Sequence, residues 1–171
     1  AITKVVQFMA AGVPLGTPQP LDIAYIADVT ASVEVGSSTD GTVNLATGTI
    51  YSATVTKGPT PEAYLLATGT SSGATSPDSV PASITGDIFL AGWGAPDDWT
   101  PTAAVALSGK HESAADQRSY ILQIDTDGTI RIVTSSDGTS GNQTLSSSTV
   151  TTGFTNGTLH GVAASVDISE N

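Results

Sequence analysis

The sequence predicts an all-β protein built as an antiparallel β-sandwich, and three observations support this class. Apolar and polar residues alternate over most of the chain, as they do in strands that bury only one face. Val, Ile and Thr, which favour a pleated surface, are frequent, whereas no segment shows the apolar stripe and caps of a helix. Residue pairs that suit tight hairpin turns recur along the chain, at Asp40-Gly41, Asp127-Gly128, Asp137-Gly138 and Asn156-Gly157.

The alternating pattern places the predicted strands in order along the chain. The first segment, Asp22–Val35, is predicted to be one long strand or two strands that share one pattern. Its apolar face carries Ile23, Tyr25, Ala27, Val29, Ala31, Val33 and Val35. The later predicted strands are Thr49–Thr56, Asp87–Gly92, Ala103–Leu107, Ser119–Asp125, Thr129–Thr134 and Leu159–Ile168. Two segments rich in Ser, Thr and Gly, Gly69–Pro81 and Ser135–Thr152, are predicted to be surface loops.

A boundary between two parts of the chain is predicted at residues 57–62. Pro59 and Pro61 remove two backbone donors there and favour an extended linker. The predicted parts are a β-rich N-terminal segment, residues 1–56, that serves anchoring and assembly, and a sandwich over residues 63–171. Without a hairpin partner, the strand Leu159–Ile168 would form an exposed edge. We therefore expect either a sandwich that is incomplete at its C-terminus, in a chain that continues further, or completion of the sheet by a neighbouring chain.

Composition excludes several classes of function. The 171 residues suit one domain, or one domain with a smaller appendage. The absence of cysteine excludes disulfides and thiolate chemistry. A net charge of −11 would repel a phosphate backbone, so we expect no binding to nucleic acid. No apolar run approaches the ~20 residues of a membrane-spanning helix, so we expect no membrane insertion.

Three groups of residues carry a resemblance to a known family. They are Ser83–Asp87, which opens a strand, the corner Asp97–Pro101, and Gln117–Tyr120 with the hairpin that follows it. Together they make the chain from Ala63 onward resemble the laminin-G-like, concanavalin A-type β-sandwich of bacteriophage tail and other virion proteins. The resemblance implies a jelly-roll sandwich and a setting in a phage particle.

The function expected from this resemblance is that of a non-enzymatic virion structural protein. It would be a minor tail protein or another surface-exposed component, in contact with other virion subunits, homo-oligomeric, and able to touch a glycan of the host surface. Two alternatives stay open: a capsid decoration protein that stabilises the head, and a bacterial secreted or surface lectin.

No catalytic residues are predicted. Glycosidases of the concanavalin-like superfamily carry clustered carboxylates along one strand, because two carboxyl groups must flank the scissile bond. Here the glutamates are scattered over Glu34, Glu62, Glu112 and Glu170. We therefore expect binding rather than hydrolysis.

The candidate ligand-binding residues are Trp93, Asp97, Asp98 and Trp99. An exposed indole can stack on a sugar, and the two aspartates supply oxygens of the kind that calcium prefers. Two adjacent aspartates provide few of the six to eight oxygens that calcium needs, so calcium is only a weak candidate cofactor. The alternative is a structural corner in which an aspartate caps a turn and at least one tryptophan packs in the core.

Overall fold

The structure is a computed structural model that describes residues 5–21, 26–27, 29–31, 33–36, 46–57, 60–65, 69–70, 74–76, 84–113 and 116–168. The described strands are β1 Val5–Ala10, β2 Val13–Pro14, β3 Gln19–Pro20, β4 Val33–Val35, β5 Gly48–Lys57, β6 Thr60–Leu65, β7 Gly69–Thr70, β8 Ala74–Ser76, β9 Ile88–Pro96, β10 Val105–Glu112, β11 Gln117–Ile124, β12 Ile130–Ser135, β13 Gln143–Ser147 and β14 His160–Asp167. One short 3-10 turn, Ser140–Asn142, precedes β13.

The strands form two antiparallel sheets. The first sheet has the order β2-β1-β14-β9-β5-β6, with β3 paired to β1 and β7 paired to β5. The second sheet has the order β13-β12-β11-β10-β4-β8. This arrangement confirms the prediction of an all-β protein in which two antiparallel sheets pack as a sandwich.

The core lies between the two sheets and is built from alternate residues of their strands. In the first sheet Phe8, Leu90 and Ala164 occupy the same row of the inner face, because they are paired across β1, β14 and β9. In the second sheet Leu122 and Ile132 face them from paired positions of β11 and β12. All five side chains are completely buried within one core cluster. The alternation in the sequence thus has its expected physical cause, which is burial of one face of each strand.

The structure places several predicted strands close to where the sequence put them. β5, β11, β12 and β14 differ from their predicted bounds by one or two residues, whereas β9 and β10 continue to Pro96 and Glu112.

The long predicted strand Asp22–Val35 is shorter in the described residues, where only β4 is a strand. Upstream of β4, the backbone N–H of Ala27 donates to the carbonyl oxygen of Ser135, and the carbonyl oxygen of Ala27 accepts a hydrogen bond from the hydroxyl of Ser119. These bonds do not belong to a strand ladder, so the strand does not extend to Ala27. Asp22, Ile23, Tyr25, Asp28 and Ser32 lie outside the described residues, and so does the predicted Asp40-Gly41 turn.

Each of the two sheets contains strands from before and from after the predicted boundary. β1 pairs with β14 and β5 pairs with β9 in the first sheet, and β4 pairs with β10 in the second. Within residues 57–62, Lys57 pairs with Thr60 across the β5–β6 hairpin. Residues before the boundary therefore contribute to the same core as those after it.

The expectation that the last strand forms an exposed edge is wrong. β14 lies inside the first sheet, where β1 pairs with one side of it and β9 with the other. The sequence pattern did not reveal this partner, because β1 lies at the opposite end of the chain.

The contribution of β1 to the core can be tested with one pair of variants. Phe8→Ala removes a completely buried ring, and we expect a loss of about 3–5 kcal/mol in the free energy of unfolding. Gln7→Ala, on the outer face of the same strand, should change it by no more than about 0.5 kcal/mol. Denaturant unfolding of both variants measures the difference. Equal, small effects would show that β1 is not part of the cooperative core.

Candidate functional site

Trp93 lies on the outer face of the first sheet. It is paired with Gly161 of β14, and its side chain is 51% exposed. A Cβ atom on Gly161 would lie 2.9 Å from the Cδ2 and Cε2 atoms of the indole. Only glycine therefore leaves room for the ring to lie against the backbone of β14, with half of the side chain still in contact with solvent.

An apolar groove of about 250 Å³ runs beside the indole of Trp93. It is lined by Met9, Gly12, Phe89, Ala91, Trp93, Gly161, Val162 and Ala163. Apart from Gly12, in the turn between β1 and β2, the lining comes from three strands, since Met9 of β1 is paired with Ala163 of β14, which is paired with Ala91 of β9. The groove is large enough for one ring or one large side chain, and it is smaller than the usual site for a drug-sized molecule.

The sequence of β9 explains why an apolar surface forms on the outside of the sandwich. Its inner positions Ile88 and Leu90 are buried in the core, and its outer positions Phe89, Ala91 and Trp93 are partly or largely exposed. Both faces are apolar, so the strand buries one face against the second sheet and presents the other. This apolar outer face is the candidate contact surface of the sheet.

The structure places Trp99 in the core, apart from Trp93. Trp99 is 2% exposed, and its ring meets the ring of Phe154 edge to face at a centroid distance of 4.9 Å. Phe154 in turn stacks on His160, with centroids 3.7 Å apart. The backbone N–H of Trp99 donates to Oδ1 of Asn156 at 2.8 Å, which holds the loop that carries Phe154 over the corner.

Asp98 forms the turn that directs Trp99 inward. Its Oδ1 atom accepts hydrogen bonds from the backbone N–H and the Oγ1 hydroxyl of Thr100, at 2.8 and 3.0 Å, and from Nδ2 of Asn156 at 3.3 Å. The two bonds from Thr100, first that from its backbone, stabilise the carboxylate and lower the pKa of Asp98. Asp97 is exposed, and its backbone N–H donates to the carbonyl of Thr47.

The candidate ligand-binding residues are therefore divided among three surroundings. Trp93 borders an open groove, Trp99 packs in the core, and Asp98 caps a turn beside exposed Asp97. In the part of the chain that the structure describes, no group of three or more His, Asp or Glu side chains is arranged to hold a metal ion. Ligand binding by these four residues stays a prediction.

The same turn recurs at two hairpins. Oδ1 of Asp127 accepts from the backbone and hydroxyl of Thr129, and Oδ1 of Asp137 does the same with Thr139. These bonds lower the pKa of both aspartates. The triplet Asp-x-Thr in the sequence would have revealed this structural role for Asp98, because the short side chain of Asp bonds to the backbone two residues later.

His111 is a titratable residue of β10, in the second sheet, and the sequence shows no patterned partner for it. Its Nε2 atom lies 3.0 Å from the side-chain amide nitrogen of Gln143, which can donate to an unprotonated ring nitrogen. Burial and then the nearby positive charge of Arg118 lower the pKa of His111 from 6.5 to about 4.

No protein-family model matches this chain, and neither a curated protein nor a solved structure does. The comparisons therefore identify no family. Among the described residues, no helix is both long and apolar enough to cross a membrane.

Acid should destabilise the fold through His111. Between about pH 6.5 and pH 4, His111 is protonated in the unfolded chain but stays unprotonated in the folded chain. The free energy of unfolding therefore decreases by up to about 3 kcal/mol as the pH falls through this range. The aspartates with a lowered pKa lose most of their stabilising effect below their ordinary value of 3.8 and only a small part of it between about pH 5 and pH 4.

Denaturant unfolding between pH 7.5 and pH 4 measures this dependence. In His111→Gln the free energy of unfolding should change less with pH over that range. In the control variant His160→Gln it should change with pH as it does in the unchanged protein. An unchanged slope in His111→Gln would contradict the assignment.

Proposed function

We propose that the protein is a non-enzymatic structural protein of a bacteriophage particle, a minor tail protein or another surface-exposed component. Its contact surface is the outer face of the first sheet around Trp93. The observation that carries the proposal is the half-exposed indole of Trp93, held against Gly161 beside an apolar groove. Exposed tryptophans that border a pocket are typical anchors of binding surfaces.

A binding role, rather than catalysis, is supported by what the described carboxylates do. Asp98, Asp127 and Asp137 hold turns through their threonine partners. Asp125 pairs with Arg131 at 2.9 Å, and Asp116 pairs with Arg118. Each of these carboxylates has a structural partner, and none faces the groove beside Trp93.

The placement in a phage particle rests on the resemblance of the sequence to laminin-G-like jelly-roll sandwiches of virion proteins. The groups that carry it take part in the fold. Asp87 accepts a hydrogen bond from the backbone of Ile168, the corner at Asp98 wraps Trp99, and Gln117 accepts one from Thr30. The proposed location of the protein is therefore the particle surface, where neighbouring subunits cover part of the apolar face.

A lectin of a bacterial surface is the second candidate, and the exposed ring of Trp93 is the observation that favours it. Sugars stack their apolar face on such rings. Against this stands the lining of the groove, which is almost entirely apolar and offers few partners for sugar hydroxyls. A site built for a sugar pairs its hydroxyl groups with well-placed polar side chains.

The role proposed for residues 1–56 is anchoring to neighbouring subunits. Deleting this segment would not test the role, because it supplies strands to both sheets of the sandwich. A single exposed residue is the sharper probe.

Trp93→Ala should reduce incorporation of the protein into phage particles at least tenfold, because it removes the anchor of the contact surface and leaves the core intact. Leu145→Ala is the matched control, since Leu145 is 55% exposed on the second sheet. Immunogold labelling of purified particles locates the protein on head or tail and counts the copies retained. Labelling of the head would favour the decoration protein. Absence of labelling, with Trp93-dependent binding on a glycan array, would favour the lectin and contradict the virion role.

A further inference from the structure

We propose that the outer face of the first sheet is a surface for self-association, on which two copies of the chain pair about a two-fold axis. Each copy inserts the exposed edge of Trp93 into the groove of the other. This inference concerns only the chain and its second copy, so its test does not depend on the proposed location in a phage particle.

The arrangement of the face suits a second copy because a projection and a recess lie side by side. The projection is Trp93, and the recess is the groove formed beside it by Met9, Phe89, Ala91 and Ala163. A two-fold interface uses the same patch on both subunits, so that patch must be complementary to itself. A patch that carries its own projection and its own recess meets this requirement. We call these five residues the Trp93 patch.

Charge also selects a second copy over a partner of opposite charge. The face has two central rows of paired residues, and neither contains a charged residue. One row is Gln7, Ser165 and Phe89, and the other is Met9, Ala163 and Ala91. The next row along the face contains Asp167, paired with Val5. A basic partner would be recognised through acidic side chains, which the Trp93 patch lacks. Two copies that each carry a charge of −11 meet with least repulsion where neither presents charge.

The size of the face sets the expected strength. Three strands spaced about 4.8 Å apart and about six residues long present roughly 300 Å². A standard stable interface buries about 800 Å² on each partner, so we expect the pairing of isolated chains to be weak. Many such contacts in an assembly would act together.

The first experiment measures sedimentation of the full chain from about 0.01 to 1 mM. We expect the average mass to rise towards that of a dimer, and to rise further when sodium chloride is raised from 50 to 500 mM, because salt screens the repulsion between two acidic copies. Trp93→Ala should weaken association at least tenfold, and Leu145→Ala, an exposed apolar residue of the second sheet, should leave it unchanged.

The second experiment maps the contact. The chain contains no cysteine, so single-cysteine variants report one position each. The faces of two packed sheets lie about 10 Å apart, and a short bismaleimide spans that distance. Ala91→Cys, within the Trp93 patch, should give a cross-linked dimer, whereas Leu145→Cys should stay monomeric under the same conditions.

Three results would overturn the inference. They are a monomer at 1 mM in both salt concentrations, association that Trp93→Ala leaves unchanged, and equal cross-linking of the two cysteine variants. Incorporation into particles that still requires Trp93 would then assign the face to a different subunit. Binding of a glycan by the monomer, lost in Trp93→Ala, would assign it to a sugar.

Discussion

The position of β14 between β1 and β9 is the constraint on which the rest of the structure depends. Its inner residues Val162, Ala164 and Val166 join the core, and its two backbone edges bond to β1, from the start of the described chain, and to β9, from its middle. The groove exists only because these three strands lie side by side. The pairing of β1 with β14 thus completes this part of the sheet and also forms the groove, so loss of β1 would remove both.

Glycine at position 161 connects this pairing to the chemistry of the surface. Trp93 is directly opposite it, and any larger residue would push the indole away from the sheet, since even a Cβ atom would come within 2.9 Å of the ring. The absence of a side chain at position 161 is therefore what allows the indole to lie against the backbone of β14.

Sequence alone could predict those parts of the fold in which one face of a strand is polar or a turn has strong preferences. β11 and β12 were predicted because the pair Asp127-Gly128 marks their hairpin, and Gly128 indeed has a φ of 81°. The sequence does not predict β1 and the groove, because Gln7 is the one polar residue on the outer face of β1, between Val5 and Met9, and the alternation is therefore weak. The sequence predicts a loop over Ser135–Thr152, where the structure has β13, because the Ser and Thr residues of this strand have the composition of a loop. The pairing of β1 with β14 joins residues from the two ends of the chain, and no local pattern encodes it.

The two tryptophans show why residue type did not decide the site. In β9 strict alternation continues from Leu90, which is buried, to Trp93, which lies on the outer face. At the corner Asp98 ends that alternation by bonding to Thr100, and the turn directs the next ring, Trp99, into the core. The difference between the exposed ring and the buried ring is thus a difference in backbone direction over six residues. The direction changes at the corner where Asp98 bonds to Thr100 and the backbone of Trp99 bonds to Asn156.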